Sequence, residues 1–416
     1  MMALVSSKKV VFFSYIWHGA FFAITSAMLD FNTIFPALID SLTSNTFIFG
    51  SMLAILLGTP LIFNLIFSHY LKRAKKKRNF LLIGIYLRSL SFLSMALFIW
   101  LFAADQPKIA IISLYFFLLL FSVSAGFAGI SYSDLIAKML KDPNQRTKLY
   151  ATKQIISSIA AFAGGAIVTY IFSQDLTYPL NYVIGLLIGS AGLIIAATGF
   201  WFVKEPIDKT SNQEGESLKT FFKRIPKILK DDLEFRKFII IDNFSTFGLM
   251  IIPFYMLFVK QEMMIEDRYI GIYLLIMLAG KVLSSFIWGF LGKKWHSKMV
   301  VTSCMAMGGL IPILAILLIQ TTPLIYGIVF FFVGMVISGR SIGFSPYLLD
   351  IAPNENRLEY LGIRGSLNLF IIILPLLAGA IIQGFGYVVT FVIVSFMMFM
   401  TVLFQILYKG KNIQKL

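Results

Sequence analysis

Twelve stretches of this chain are apolar for long enough to cross a lipid bilayer as helices, and this feature constrains the fold more than any other. They cover about residues 10–38, 45–68, 80–102, 109–137, 154–173, 179–203, 238–259, 269–291, 299–320, 323–349, 366–384 and 386–408. A helix rises 1.5 Å per residue, so about 20 residues cross the hydrocarbon core. The second, fifth, sixth, ninth, eleventh and twelfth runs hold no Asp, Glu, Lys or Arg. The first is the least regular, because Asp30 interrupts it and Pro36 follows, so a bend is expected there. Hydrophobic residues fill 58% of the 416 positions and charged residues 13%. A water-soluble domain of this length has too little interior to hide that much apolar surface. The same composition excludes a disordered chain and a nucleic-acid-binding domain. The apolar runs are continuous rather than alternating, which excludes a transmembrane barrel. What remains is an all-α polytopic membrane protein with twelve transmembrane helices.

The loops give the orientation. Of the 36 Lys and Arg residues, 30 fall at the N-terminus, in the loops after the even-numbered runs and at the C-terminus. The opposite loops hold only Lys108, Lys260 and Arg268. The positive-inside rule therefore predicts an even number of spans with both termini in the cytoplasm. It also explains the net charge of +16 as topology and adhesion to anionic lipid heads. The expected location is a bacterial plasma membrane. Lys8 and Lys9 precede an apolar run too long for a signal-peptide core, and no small-x-small site follows it. The single cysteine, Cys304, excludes an intrachain disulfide and a thiolate metal cluster.

The longest polar break, 204–237, divides the spans six and six. Within it Leu218, Phe221, Phe222, Ile225, Ile228, Leu229 and Leu233 recur at helical spacing among Lys219, Lys223, Arg224, Lys227 and Lys230. This predicts a basic amphipathic helix in the membrane interface. The expected domains are thus 1–203, 204–237 and 238–416. The two halves also repeat. Pro143-Asn144-Gln145-Arg146 precedes Lys153 at the start of the fifth span, and Pro353-Asn354-Glu355-Asn356-Arg357 precedes Arg364 at the start of the eleventh. Upstream, Gly129 to Asp134 ends the fourth span and Gly343 to Asp350 ends the tenth. Matching segments at one position of each half are the mark of internal duplication in a transporter.

Six plus six spans, a basic central loop and this repeat resemble the major facilitator superfamily of secondary transporters. The loop after the eighth span, Gly289-Phe290-Leu291-Gly292-Lys293-Lys294-Trp295-His296-Ser297-Lys298, is similar to that family's G-x-L-x-D-R-x-G-R-[RK] motif, with Lys293 at the acidic position. The loop after the second span keeps the basic run Lys72 to Arg78, with Ser68 at the acidic place. Gly164 and Gly165 keep part of the family's antiporter signature, although Ala160 and Ala161 replace its Gly-Pro. These small residues also suit close helix packing. The resemblance implies two pseudo-symmetric six-helix bundles rocking about a central cavity lined by helices 1, 4, 7 and 10.

An ionised group at the bilayer centre costs about 2.5–3.5 kcal/mol on insertion scales, so each one inside a span is a functional candidate. Lys281 and Arg340 lie too deep to snorkel and are expected to bind solute. Asp30 and Asp242 are candidates for solute binding and for carrying a coupling proton, since poor hydration pushes a carboxyl toward its neutral form. Asp30 comes first and Asp242 second; either residue fits an interfacial position equally well. His18 is either a titrating solute ligand or a buried histidine bonded to a neighbouring helix. Arg88 reads as structural and paired to a carboxylate or carbonyl. Asp134, Arg146, Lys153, Asp350, Arg357 and Arg364 read either as a cytoplasmic gate or as solvated loop charges, and Asp134 precedes Lys138 at the spacing of a helix ion pair.

No enzyme motif, nucleotide loop or metal-ligand spacing occurs in the sequence, so no cofactor is expected. The expected function is proton-coupled secondary transport of a small anionic or zwitterionic solute by a monomer. Efflux of amphiphilic drugs is the alternative suggested by 42 Phe residues. A non-transporting receptor or assembly protein of the same fold is the alternative from another class.

Overall fold

A computed structural model describes residues 8–72, 76–140, 142–206, 218–353, 357–368 and 370–407. Among these residues the regular structure is entirely helical. The N-terminal part comprises α1 (Lys8–Met28), α2 (Ile34–Leu42), α3 (Thr46–Lys72), α4 (Arg78–Phe102), α5 (Pro107–Met139), α6 (Pro143–Phe172) and α7 (Leu180–Trp201). Then come α8 (Leu218–Asp231), α9 (Leu233–Met250), α10 (Phe254–Met263), α11 (Arg268–Leu318), α12 (Pro323–Ile351), α13 (Arg357–Leu367) and α14 (Phe370–Leu407). In a bilayer every backbone polar group must find its partner within the segment, and a helix does this without help from water.

Ten stretches are long and apolar enough to cross a membrane. Two of them, Arg268–Leu318 and Tyr360–Leu407, run to 51 and 48 residues, about twice what one crossing needs. The first is broken at Trp295 and His296, where His296 has φ 63°. The second is broken at Gly386, with φ 82°. Glycine takes such angles freely because it has no Cβ. Counting each as two crossings gives twelve membrane helices in two six-helix bundles.

Local chemistry sets the helix starts. Proline occupies the first turn of α5, α6 and α12, where its missing N–H would have no intrahelical partner. Asp142 caps α6 by accepting from Asn144 N at 2.9 Å, and Asp232 caps α9 by accepting from Phe235 N at 2.9 Å. Within the expected amphipathic stretch a helix forms as α8; residues 207–217 lie outside the described residues.

The first span is interrupted, as Asp30 and Pro36 suggest. Helix α1 stops at Met28 and α2 starts at Ile34. The seventh span is interrupted too, between α9 and α10 at Ile251–Pro253, which the apolar run 238–259 conceals. Broken helices at corresponding places in two halves are a recurrent feature of transporter folds.

The chain packs as two compact units, Met1–Ser211 with Ile265–Leu275, and Asn212–Met264 with Ile276–Leu416. In the first unit α1 packs on α6 and α7, α4 on α5 and α7, and α3 on α5. Gly164 of the degraded antiporter signature is a packing residue here: a Cβ on it would meet Ala27 Cβ at 2.8 Å. In the second unit α9 packs on α14 and α12, and α11 crosses α12 at two glycines. A Cβ on Gly334 would lie 2.0 Å from Met277 O, and one on Gly280 would lie 2.1 Å from Phe331 O. Only the absence of both side chains lets the two backbones meet, which is how small residues bring membrane helices together.

Candidate functional site

The second unit buries one carboxylate between two arginines. Asp242 lies nine residues into α9 and is 1% exposed. Its Oδ2 accepts from Arg364 Nε at 2.8 Å, and its Oδ1 accepts from Arg364 Nη2 at 3.2 Å and from Arg340 Nη2 at 3.1 Å. Arg340 also donates to Ser245 Oγ, and Arg364 to Ser345 Oγ at 3.3 Å. Each guanidinium lies against a ring: Arg340 is 4.4 Å from the Phe344 centroid and Arg364 is 5.4 Å from that of Phe238. One turn on from Asp242, Thr246 donates back to the Asp242 carbonyl at 3.1 Å and faces Asn368. Two guanidinium groups on one carboxylate leave an excess positive charge in a poorly hydrated place. A cleft beside it is lined by Ser245, Cys304, Met305, Arg340 and Met398 among others.

Lys281 behaves differently from its helical neighbours. Met277, Ser284 and Trp288 share its face of α11 and are buried, yet Lys281 itself is exposed. Its backbone N sits at the α11–α12 crossing, 2.7 Å from where a Gly334 Cβ would be.

The first unit gathers a second set of polar groups. His18 (α1), Arg88 (α4) and Lys153 (α6) each lie ten residues from the start of their helices, Lys8, Arg78 and Pro143. At 1.5 Å per residue all three sit about 15 Å from the same side. His18 is 8% exposed; its ring stacks on Phe22 at 5.6 Å and approaches Tyr132 at 5.5 Å and Phe200 at 5.2 Å. The Lys153 ammonium is 4.7 Å from the Tyr132 ring centroid. Arg88 lies between Phe22 and Phe121, at 5.8 and 5.4 Å. Among the described residues it has no carboxylate or carbonyl partner: the guanidinium lies between two rings, and Nε is buried without a hydrogen bond.

Asp30 is not inside a membrane helix. It lies in the break between α1 and α2, and its Oδ1 accepts from Asn32 N at 2.9 Å and Thr33 Oγ1 at 3.0 Å, while its carbonyl accepts from Phe35 N at 2.9 Å. The carboxylate bonds shape the turn that leads into α2, which is a structural use of the side chain.

Within each unit the described residues read as a gate take different partners. Asp134 accepts from Lys77 Nζ at 3.0 Å and from Lys138 Nζ at 3.1 Å. Arg146 donates to the carbonyls of Leu140 and Ala137 at 2.5 and 3.1 Å, closing the C-terminus of α5. Asp350 accepts from Ser297. Lys153 and Arg364, the repeat-related pair, both turn into the interior of their own unit. The Arg357 side chain lies outside the described residues. An ionic network does form in the first unit where α4 starts and α5 and α7 end, despite the missing acid at Ser68. Its extra acid is Glu205, just past α7, which is 7% exposed and accepts from Lys138 Nζ at 3.0 Å and Arg78 N at 2.8 Å. In the sequence Glu205 reads as one more loop charge between Lys204 and Pro206.

Twelve membrane helices in two bundles, each with charges at mid-depth, define a secondary transporter of small solutes and not an enzyme. The chain belongs to the major facilitator superfamily: residues 11–351 match the family described as MFS/sugar transport protein. No curated protein matches it in sequence. Among solved structures it is similar to a D-xylose-proton symporter, with TM-score 0.74 and 14% identity over 98% of this chain and 99% of that one. The inward-open xylose transporter XylE from E. coli gives TM-score 0.69 and 14% identity over 97% of each chain. The nucleoside transporter NupG gives TM-score 0.69 and 12% identity over 96% of this chain and 100% of that one. At these identities the likeness is one of fold.

Proposed function

We propose that the chain carries a sugar-sized, negatively charged solute across the membrane together with protons. The observation that carries this reading is the Asp242 carboxylate buried between Arg340 and Arg364. While Asp242 is ionised, it occupies both guanidinium groups. Protonation removes the charge that holds them, and two buried cations then need another anion. Solute anion and proton therefore favour each other's binding, which is the thermodynamic requirement for symport. The family's description and the xylose and nucleoside carriers of the same fold support a solute of monosaccharide size. The excess of cations supports a negative charge on it. Asp242 takes the proton role in this scheme because the Asp30 carboxylate is engaged in the turn between α1 and α2. Lys281, exposed on an otherwise buried face, is the first contact for the incoming anion.

Arg340→Gln and Lys281→Gln are expected to reduce uptake of the solute by on the order of tenfold or more, the loss of one charge-assisted contact. Uptake into proteoliposomes checks this against the thermal melt of each variant. Wild-type uptake with an unchanged melt would assign both residues elsewhere.

The proposed orientation has both termini and α8 on the cytoplasmic side of a plasma membrane, with the protein acting as a monomer. Reporter fusions at Leu416 and near Asn212 are expected to read cytoplasmic, and one near Gln106 external. An external reading at Leu416 would contradict it.

A further inference from the structure

We infer that the first unit holds a second anion seat, built from His18, Arg88, Tyr132, Lys153 and Ser157, which receives an anionic group of the solute apart from the Asp242 site. It rests on the reading of the chain as a carrier of a negatively charged solute, but on residues that the Asp242 site does not use.

Three observations carry it. First, the seat has two cations and no acid. Among the described residues neither Arg88 nor Lys153 has a carboxylate partner; each is held only by aromatic rings. The repeat makes the contrast sharp, since Arg364, the counterpart of Lys153, is bound to Asp242. A carboxylate completes the second unit's cluster, and among the described residues none completes the first.

Second, the hydrogen-bonding groups around these cations are unsatisfied. His18 Nδ1, Arg88 Nε, Tyr132 Oη and Ser157 Oγ are all buried and lack partners. A buried polar atom without a hydrogen bond destabilises the fold, so several on neighbouring helices mark a place that a ligand completes. Arg88, Tyr132 and Ser157 offer N–H or O–H donors, as an anion requires, and the His18 nitrogen donates in the matching tautomer.

Third, the backbone makes room for the arrangement. A Cβ on Gly19 would lie 2.9 Å from both Lys153 Cγ and Ser157 Oγ. Glycine at this point lets α6 pass close against α1 and brings Lys153 and Ser157 beside His18. The His18–Phe22 stack and Tyr132 supply flat faces for the apolar side of a small ring. The chemistry recognised is a carboxylate or phosphate on a compact polar body.

The test has two arms on the purified full-length protein. In the first, D-glucuronate, D-glucose 6-phosphate and neutral D-glucose are compared by thermal shift, because a ligand of the folded state raises its melting temperature. At least one of the two anions is expected to raise it and glucose is not. Glucuronate alone would identify a carboxylate and the phosphate ester alone a phosphate. Lys153→Gln is expected to require about tenfold more anion for the same shift, and Lys153→Arg to restore the response. Equal shifts with glucose, unaffected by Lys153→Gln, would overturn the seat.

The second arm needs no ligand. If the two cations are uncompensated, removing either charge relieves the empty protein. Lys153→Gln and Arg88→Gln are each expected to raise its melting temperature by about 3 °C. A fall in both would make the residues structural and overturn the seat, whatever the probes do. Because no solute or proton enters this arm, its failure is distinct from failure of proton coupling at Asp242, which is read from proton flux.

Discussion

Asp242→Asn is expected to abolish gradient-driven accumulation of solute while leaving solute exchange in place. The amide is close in shape to a permanently protonated carboxyl, so Arg340 and Arg364 stay free for the anion, and no proton can be taken up or released. Exchange of internal for external solute needs only binding and the change of access, so it persists. The stability effect runs the other way. Asp242 is 1% exposed and serves two arginines, and breaking a buried ion pair from one side costs about 3–5 kcal/mol. The empty variant should therefore melt well below wild type and regain much of the difference when the anion binds. The decisive readout is the ratio of accumulation to exchange in one preparation, which does not depend on yield. Asp30→Asn is the control: an asparagine can accept the Asn32 and Thr33 hydrogen bonds, so coupling should survive it.

The second large effect concerns packing. Gly334→Ala is expected to separate α11 from α12 and to lower stability by more than about 3 kcal/mol, with Gly334→Leu failing to fold. The new Cβ would lie 2.0 Å from Met277 O and 2.7 Å from Lys281 N. Both are backbone atoms, so no rotamer change relieves the clash. Gly365→Ala serves as the control, because nothing lies within 4 Å of its added Cβ. Size-exclusion profiles and melting curves of the three variants check the expectation. A Gly334→Ala protein as stable as wild type would show that the two helices do not cross in this way.

Hydropathy made the architecture legible. An apolar run of about 20 residues has one stable form in lipid, so the twelve spans could be counted from the sequence. Depth was also legible, because residue counts from loop lysines and arginines translate directly into ångströms along a helix. That arithmetic put Asp242, Arg340 and His18 inside the spans. What it could not supply is azimuth. Successive residues turn by about 100° on a helix, and in a run that is apolar on every face no periodicity marks the inward side. Lys153 and Arg364 therefore read as gate residues at the ends of their spans, whereas the folded chain turns both into the interior. For the same reason Arg88 reads as paired to a carboxylate or carbonyl, whereas among the described residues it lies between Phe22 and Phe121.

Asp30 failed to read correctly for a different reason. The break between α1 and α2 lies within a run that hydropathy treats as continuous, so an aspartate that serves a turn reads as an intramembrane charge. The matching break before Pro253 in the seventh span lies within an equally continuous run. Glu205 joins Lys138 across 67 residues of sequence, and no local pattern encodes such a pairing.

The most direct measurement of the central claim is proton movement in proteoliposomes that carry a pH-sensitive dye inside. The protein is challenged with pulses of sugar carboxylates, sugar phosphates and their neutral parents, without an imposed gradient. An anion that is carried is expected to acidify the lumen in wild type and to enter without acidification in Asp242→Asn, while the neutral parents give no signal. Entry of the anion into wild-type vesicles with no proton movement, or acidification by Asp242→Asn equal to that of wild type, would contradict the account.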